Sequence, residues 1–387
     1  MTNVPEIRFK GFTDAWEQRK LGEVCGNFRS GNSITADSIY ENGVYAAYGG
    51  NGLRGYTDNF THDGDFVLIG RQGALCGNIN TASGKVYISE HAVVISENEL
   101  SDIGYLEQLL AKLQLNRFSE SSAQPGLSVD KLKKIDTFAP CKPEQTAIGT
   151  FFRTLDTTIT LYKRKLDWLK RLKSAYLQQM FPQAGESVPK VRFEGFDKPW
   201  GVRLLGDISI KVNEKNKDYR HSETFTNSAE YGIISQRDFF DKDISNEKNL
   251  GGYYVIQPND FVYNPRISNF APVGPIKRNL LGRIGVMSPL YYVFRVIEGD
   301  LTFIEKFFES VYWHEFMKMN GDNGVRADRF NIKDSTFEQM PIPFPDEQEQ
   351  KAIGKFLNNL DMLVADQQSK LDKITKLKSA YLSKMFI

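Results

Sequence analysis

Along two stretches of the chain, apolar residues return at alternating spacings of four and three. In residues 144–181 they are Ile148, Phe152, Leu155, Ile159, Tyr162, Leu166, Leu169, Tyr176 and Met180. In residues 349–386 they are Ile353, Leu357, Leu360, Val364, Leu371, Ile374, Tyr381 and Met385. A stripe this narrow is the seam of a coiled coil, and it predicts two helices about 55 Å long. Polar residues interrupt the seams at Gln367, which takes the place of Tyr162, and at Lys173 and Lys378, which stand at one equivalent point beside Leu172 and Leu377.

The two stretches are copies of each other. They align without a gap at an offset of 205, which carries Leu155-Asp156 onto Leu360-Asp361 and the block LKSAYL onto itself. A second duplication has an offset of 184: PEIRFKGFTDAWEQRKLGEV, from Pro5, matches PKVRFEGFDKPWGVRLLGDI, from Pro189. The order is therefore globular segment, long helix, globular segment, long helix. The offsets differ by 205 − 184 = 21 residues, an insertion inside the second globular segment.

Between leader and helix the pattern changes. In the first segment VYAAY, DFVLIG, KVYIS and AVVIS are short β-branched and aromatic runs divided by Gly, Asn, Asp and Ser, so they predict strands joined by turns. Residues 103–118 carry a helical period. The second segment repeats the plan with YGIIS, GGYYVIQ, DFVYN and LYYVFRVI as strands and residues 301–320 as a helix. Asp65-Phe66-Val67 with Arg71 corresponds to Asp260-Phe261-Val262 with Arg266 at the same internal spacing. The fold class is α+β. It comprises two globular domains, at 1–142 and 191–346, separated by an antiparallel two-helix coiled coil from helices at 143–182 and 347–387. Residues 183–190 form a polar linker, and the repeat gives an approximate internal two-fold axis.

Composition narrows the function classes. The 387 residues leave room for two or three domains, and 41% hydrophobic with 25% charged residues describes an ordinary globular protein. No run approaches the ~18 apolar residues of a membrane span, and the N-terminus lacks the apolar core of a signal peptide, so a cytoplasmic chain with no membrane partner is expected. Three cysteines and four histidines, all widely spaced, support neither a disulfide framework nor a metal site. A net charge of +1 counts against binding nucleic acid by bulk charge. Residues 144–181 nevertheless hold seven Lys/Arg against three Asp/Glu, although for that run alone a solvated helix face is the favoured reading.

Catalytic patterns are missing. Gly50-Asn51-Gly52-Leu53-Arg54-Gly55 fits GxGxxG, but a turn-rich stretch follows where a phosphate-binding helix should begin, so a Gly-rich loop with exposed polar groups is expected. Asn264-Pro265 lacks the second proline and the aromatic of an amino-methyltransferase motif, and no GxxxxGK[ST] is present. What remains is loop chemistry suited to base edges: Arg pairs with guanine, Asn or Gln with adenine, and Ser with either. The candidates are Asn51, Arg54, Arg71, Gln72, Asn78, Ser122 and Gln124 in the first domain. In the second they are Gln236, Arg237, Arg266, Ser268, Asn269, Asn323 and Arg326. For any one of them, a solvated turn residue or a structural arginine is the competing reading. The equivalence of Arg71 and Arg266 suggests a shared role such as holding phosphate.

These residues together resemble the specificity subunit of type I restriction-modification systems. The resemblance rests on the RFxGFxxxW leader in both halves and on GGNGLRGY followed by DFVLIGRQGALCGNI. It rests also on AQPGLS from Ala123 and on Glu-Gln-x-x-Ile at the head of each long helix, with prolines just before it. The second domain departs where NPRISNFAPVG replaces GRQGALCG. The resemblance implies two target-recognition domains, each reading one half of a bipartite, asymmetric double-stranded DNA target across a gap set by the helices. It implies two methylation subunits, which carry S-adenosylmethionine and the adenine-N6 chemistry, and motor-nuclease subunits, which carry ATP and Mg. This chain would then hold no cofactor and perform no catalysis. The alternatives are a coiled-coil adaptor without DNA readout and a self-contained methyltransferase or nuclease.

Overall fold

The computed structural model describes residues 3–119, 125–183, 185–240, 247–323 and 328–387. Both long helices form, over Lys142–Gln179 and Glu347–Lys384, 38 residues each. Their starts follow from the sequence: Pro143 and Glu144 suit a first turn, and Asp346 caps the second helix by accepting from the Glu349 amide at 2.9 Å.

The chain gathers into two compact units, Met1–Lys165 with Gln368–Ile387, and Leu166–Gln367. Each unit contains part of both long helices. In the first, Phe151 meets Tyr381 edge-on at 5.1 Å and Lys378 Nζ lies 2.6 Å from Asp156. In the second, Tyr176 meets Phe356 at 4.8 Å, and Lys173 pairs with Asp361. Within each unit one number rises as its partner falls, so the helix segments run antiparallel. The lysines that break the apolar seams are thereby explained, because each reaches the Leu-Asp aspartate of the facing helix. Seam residues Ile148, Phe152, Leu166, Ile353, Leu357 and Leu371 are buried, and so is Gln367.

In the first unit a six-stranded sheet has the order Phe28–Ser30, Ala92–Ile95, His62–Gly70, Ile79–Ile88, Tyr45–Gly49, Gly52–Thr57. Neighbours are antiparallel except Tyr45–Gly49 beside Ile79–Ile88. The sheet curls, for Asn32, just beyond its first strand, bridges Ser89, just beyond its fourth. The central strand is buried on both faces, which accounts for the unbroken apolar run in DFVLIG. Val67 and Ile69 pack on the helix Ile103–Lys112 through Tyr105, Leu106 and Leu109, while Phe66 and Leu68 point into the curl with Ala82, Val86 and Val94. Phe386 closes the first core against Trp16 at 6.2 Å and Tyr105 at 5.4 Å.

The second unit holds a four-stranded antiparallel sheet in the order Ser209–Lys211, Tyr292–Val296, Phe261–Tyr263, Ile276–Arg278. Its core is aromatic: Phe181, at the end of the first long helix, contacts Trp200, Phe303 and Phe307. Phe181 and Phe386 differ by the helix offset of 205, so each unit is closed by the same residue of the repeat.

Two expected helices are shorter than their periodicity suggested. Residues 301–320 form Leu301–Glu309 and Tyr312–Asn320, broken where Ser310 takes an extended conformation and its hydroxyl donates to the Phe307 carbonyl at 2.6 Å. Residues 103–118 form Ile103–Lys112 and a 3₁₀ turn, Leu115–Phe118, parted by Gln114 at φ +49°. The GxGxxG stretch is not a free loop. It is a tight hairpin whose second strand begins at Gly52, so no helix N-terminus faces a phosphate there.

Candidate nucleic-acid interface

In the first unit three turns converge on Arg71, at the end of the central strand. Its amide donates to the His91 carbonyl at 2.9 Å, and its own carbonyl accepts from Leu127 at 2.9 Å. The Gly50 turn closes over this point. A side-chain carbon on Gly50 would lie 2.7 Å from the His91 oxygen and 3.1 Å from Gly70 Cα, so a residue without Cβ is required. Asn80 fixes the same turn by donating to the Gly50 carbonyl at 3.2 Å. Around this pinned centre, Asn51, Arg54, Gln72 and Asn78 are exposed. Arg71 itself is half-buried, and its guanidinium donates to Ser30 Oγ at 3.1 Å. Beside it a groove of about 370 Å³ runs along Gln72, Gly126, Ser128 and Asp130. Ser122 and Gln124 lie outside the described residues.

The second unit divides its candidates between two places. Arg266, Ser268 and Asn269 are exposed together on the segment leaving strand Phe261–Tyr263. Arg266 stands 3.6 Å from Asp328, and its backbone bridges Arg329 as that of Gln72 bridges Gly126. Gln236 and Arg237 begin the helix Gln236–Phe240 and line another groove, with the bidentate pair Arg283–Glu223 at 2.7 and 2.8 Å. The Arg283 guanidinium holds the Glu223 carboxyl below its ordinary range, with smaller help from Ser235 and Arg237, so part of the local positive charge is already neutralised. The Asn323 backbone pairs with Phe330, and Arg326 lies outside the described residues.

The side chains of Arg71 and Arg266, expected to share a role, stand in different surroundings. Arg71 is tied to Ser30, whereas Arg266 reaches solvent with one loose partner. What the two positions share is backbone function, since each anchors the strand end to the segment after the domain's helices. Asn264 is spent structurally: its Nδ2 donates to the Asn227 carbonyl at 2.8 Å and its Oδ1 accepts from the Arg266 amide at 3.0 Å. Both ends of that amide are engaged in holding the strand end.

Sequence reasoning passed over His91, half-exposed in the converging turns, and Arg329, which lines an aromatic cleft of about 420 Å³ with Lys211, Tyr254 and Tyr291. A lone histidine and an arginine outside any strand carry no periodic signal. Among the described residues no group of His, Cys, Asp and Glu could hold a metal ion. No described helix is long and apolar enough to cross a membrane.

The sequence pattern of the type I restriction modification DNA specificity domain matches this chain twice, at residues 13–171 and 197–376. The chain belongs to that family. Each matched stretch begins inside its leader, just after RFxGF, and runs through the domain's main sheet into most of one long helix. Among relatives, the chain is 40% identical over 165 residues to the type I restriction enzyme EcoprrI specificity subunit of Escherichia coli. It is 27% identical over 135 residues to a putative type I restriction enzyme specificity subunit of Haemophilus influenzae. These alignments cover 41% and 34% of this chain, and 41% and 35% of the relatives' lengths. The fold extends further than the sequence likeness. The S subunit of a type I restriction-modification system from M. genitalium superimposes over 99% of both chains with a TM-score of 0.67 at 13% identity. A second structure, described for complex assembly and conformational transition of the type I R-M system, covers 96% of this chain and 97% of its own, with a TM-score of 0.50 at 15% identity.

Proposed function

We propose that this chain is the DNA sequence-specificity subunit of a type I restriction-modification complex. Each specificity domain reads one half of a bipartite, asymmetric target, and the two long helices set the gap between the halves. The observation that carries this reading is the duplication itself: two family domains, each with polar and cationic turns pinned at the end of a rigid strand. Rigid strand ends suit base readout, since hydrogen bonds to base edges demand fixed donors. The chain directs adenine-N6 methylation and restriction without catalysing either. Two methylation subunits bring S-adenosylmethionine, and motor-nuclease subunits bring ATP and Mg. A net charge of +1 fits a subunit whose partners also contact the duplex and share the phosphate contacts.

The test is an exchange. Replacing residues 24–139 with the matching segment of another specificity subunit should change one half of the methylated sequence and leave the other half and the gap unaltered, as read by mapping methylated adenines. Inserting a helical turn in the long helices should change the gap alone. Methylation by the chain without added subunits, or movement of both half-sites in the exchange, would overturn the reading.

A further inference from the structure

The loop after the central strand differs in sequence between the two domains, yet a backbone turn closes at the same count along it in both. Counting from Arg71 and Arg266, the residues two and five positions on close the turn, through one backbone hydrogen bond in the first domain and a reciprocal pair in the second. The Cys76 amide donates to the Gly73 carbonyl at 3.0 Å, and the Ala271 amide donates to the Ser268 carbonyl at 3.1 Å. Cys76 and Ala271 are buried, 6% and 5% exposed, and pin the turn to its domain. The residues just before them point the other way: Leu75 is 51% exposed and Phe270 is 77% exposed. A single apolar side chain in solvent needs no explanation. A pinned turn that presents one at the same position in both copies, within loops that otherwise diverged, is a repeated feature.

The surroundings select the occupant. Phe270 follows exposed Arg266, Ser268 and Asn269, and the cleft beneath it carries Lys170 and Lys277 against Glu230. Glu309 in the same cleft is already paired with Lys173 at 2.7 Å and Lys306 at 2.6 Å. Leu75 stands between Gln72 and Asn78, beside the Gly50 turn, since a side-chain carbon on Gly70 would meet both the Leu75 and the Gly50 carbonyls at 2.7 Å. An apolar tip beside exposed amide groups in the first domain, and beside cationic and amide groups in the second, suits a polyanion with apolar faces, namely stacked bases behind phosphates. Leu and Phe are residue types that proteins insert between base steps or press on thymine methyls. We propose that Leu75 and Phe270 are apolar base contacts, one in each half-site, and that they add to sequence selection beside the polar candidates. This inference rests on the specificity-subunit reading above.

The experiment uses the full chain assembled with its methylation subunits and two duplexes, one carrying the site mapped from methylated adenines and one of scrambled sequence. Leu75→Ala and Phe270→Ala should each weaken binding of the mapped duplex about tenfold or more. Binding of the scrambled duplex, its salt dependence and the subunit stoichiometry should stay as in the parent complex. Phe270→Trp should retain most of the affinity, and Phe270→Ala should relax selection in one half-site only. Unchanged binding of the mapped duplex overturns the proposal. So does loss of a methylation subunit on size-exclusion chromatography, which would reassign the turn to a protein contact. Equal binding of both duplexes by the parent complex would instead overturn the specificity reading itself, and this proposal with it.

Discussion

Arg8 grips Glu144, 136 residues away, with two hydrogen bonds of 2.6 and 2.7 Å, and Arg192 grips Glu349 in the same way at 2.6 and 2.8 Å. Both carboxylates are fully buried. The leader arginine and the Glu-Gln at the head of each long helix therefore form one clasp, written twice at offsets of 184 and 205. The neighbouring glutamines extend it. Gln145 accepts from the Asp102 amide and donates to the Pro140 carbonyl, and Gln350 does the same with Asp300 and Pro345.

Removing one partner of a buried pair strands the other. Arg8→Ala should cost about 3–5 kcal/mol in the first unit. Arg192→Ala should cost about 1 kcal/mol less, because Glu349 keeps the Trp200 indole as a donor at 3.0 Å. The equivalent indole of Trp16 has no partner among the described residues. Urea unfolding followed by the tryptophans of each unit would check both values. Equal costs would show that the Trp200 bond does not matter.

The clasp explains what the sequence could and could not say. RFxGFxxxW and Glu-Gln-x-x-Ile were visible as repeated words, but their meeting was not, since nothing local in a chain announces a contact across 136 residues. The helices were legible because an apolar seam is periodic, and the strands because β-branched runs alternate with turn residues. Helix breaks at Ser310 and Gln114 were hidden, because periodicity continued on both sides. Site residues were the least legible. Base-reading side chains sit in turns without period, so Arg71 and Arg266 looked alike until Ser30 and Asp328 distinguished their surroundings.

Gly149 and Gly354 mark where each long helix crosses the capped start of a domain helix. A Cβ on Gly149 would stand 2.7 Å from both Asp102 Oδ1 and the Tyr105 amide nitrogen, and one on Gly354 would stand 3.0 Å from Asp300 Oδ1 and from the Phe303 amide nitrogen. Backbone cannot yield as a flexible side chain does. Gly149→Ala should therefore destabilise by about 1–3 kcal/mol, and Gly354→Ala by less, as read from the shift in thermal midpoint. A stabilising Gly149→Ala, the usual result in a free helix, would show that the crossing can open without cost.

The ion-pair groups at the two seam lysines should differ in weight. Lys378 and Asp156 are 26% and 38% exposed, so Asp156→Asn should cost about 1 kcal/mol. Lys306 is 3% exposed and lies between Glu309 at 2.6 Å and Asp361 at 2.5 Å, with Lys173 completing the group. Burial would lower the Lys306 pKa, but its two carboxylates outweigh burial and hold it above the ordinary value. Lys306→Ala should cost about 3–5 kcal/mol, since two acids are left to a single lysine. If the two variants lost the same stability, the buried group would be no more than a surface pair.

Acid should loosen the second unit through His314. Burial pushes its imidazole down from 6.5 to about 4, Lys318 adds to the shift, and the ring meets Trp313 edge-on at 4.5 Å. The native imidazole thus stays neutral where the unfolded one is already protonated. Between pH 6.5 and about 4 the unfolded chain binds the extra proton, so stability falls as pH falls across that window and this contribution levels off below it. The slope is at most about 1.4 kcal/mol per pH unit, and less here because the side chain is half-buried and partly screened. Glu309 acts at lower pH. Burial raises its carboxyl, but Lys306 and Lys173 outweigh this and hold it below 4.5, so its contribution is lost only beneath the ordinary carboxylate range. His314→Gln should therefore flatten the loss between pH 6.5 and about 4 and keep the loss that Glu309 contributes in more acid solution. Urea midpoints of parent and variant at about pH 7.5, 6 and 5 measure the difference. A parent midpoint that does not move between 6.5 and 5 would mean that the imidazole protonates in the folded chain as freely as in water.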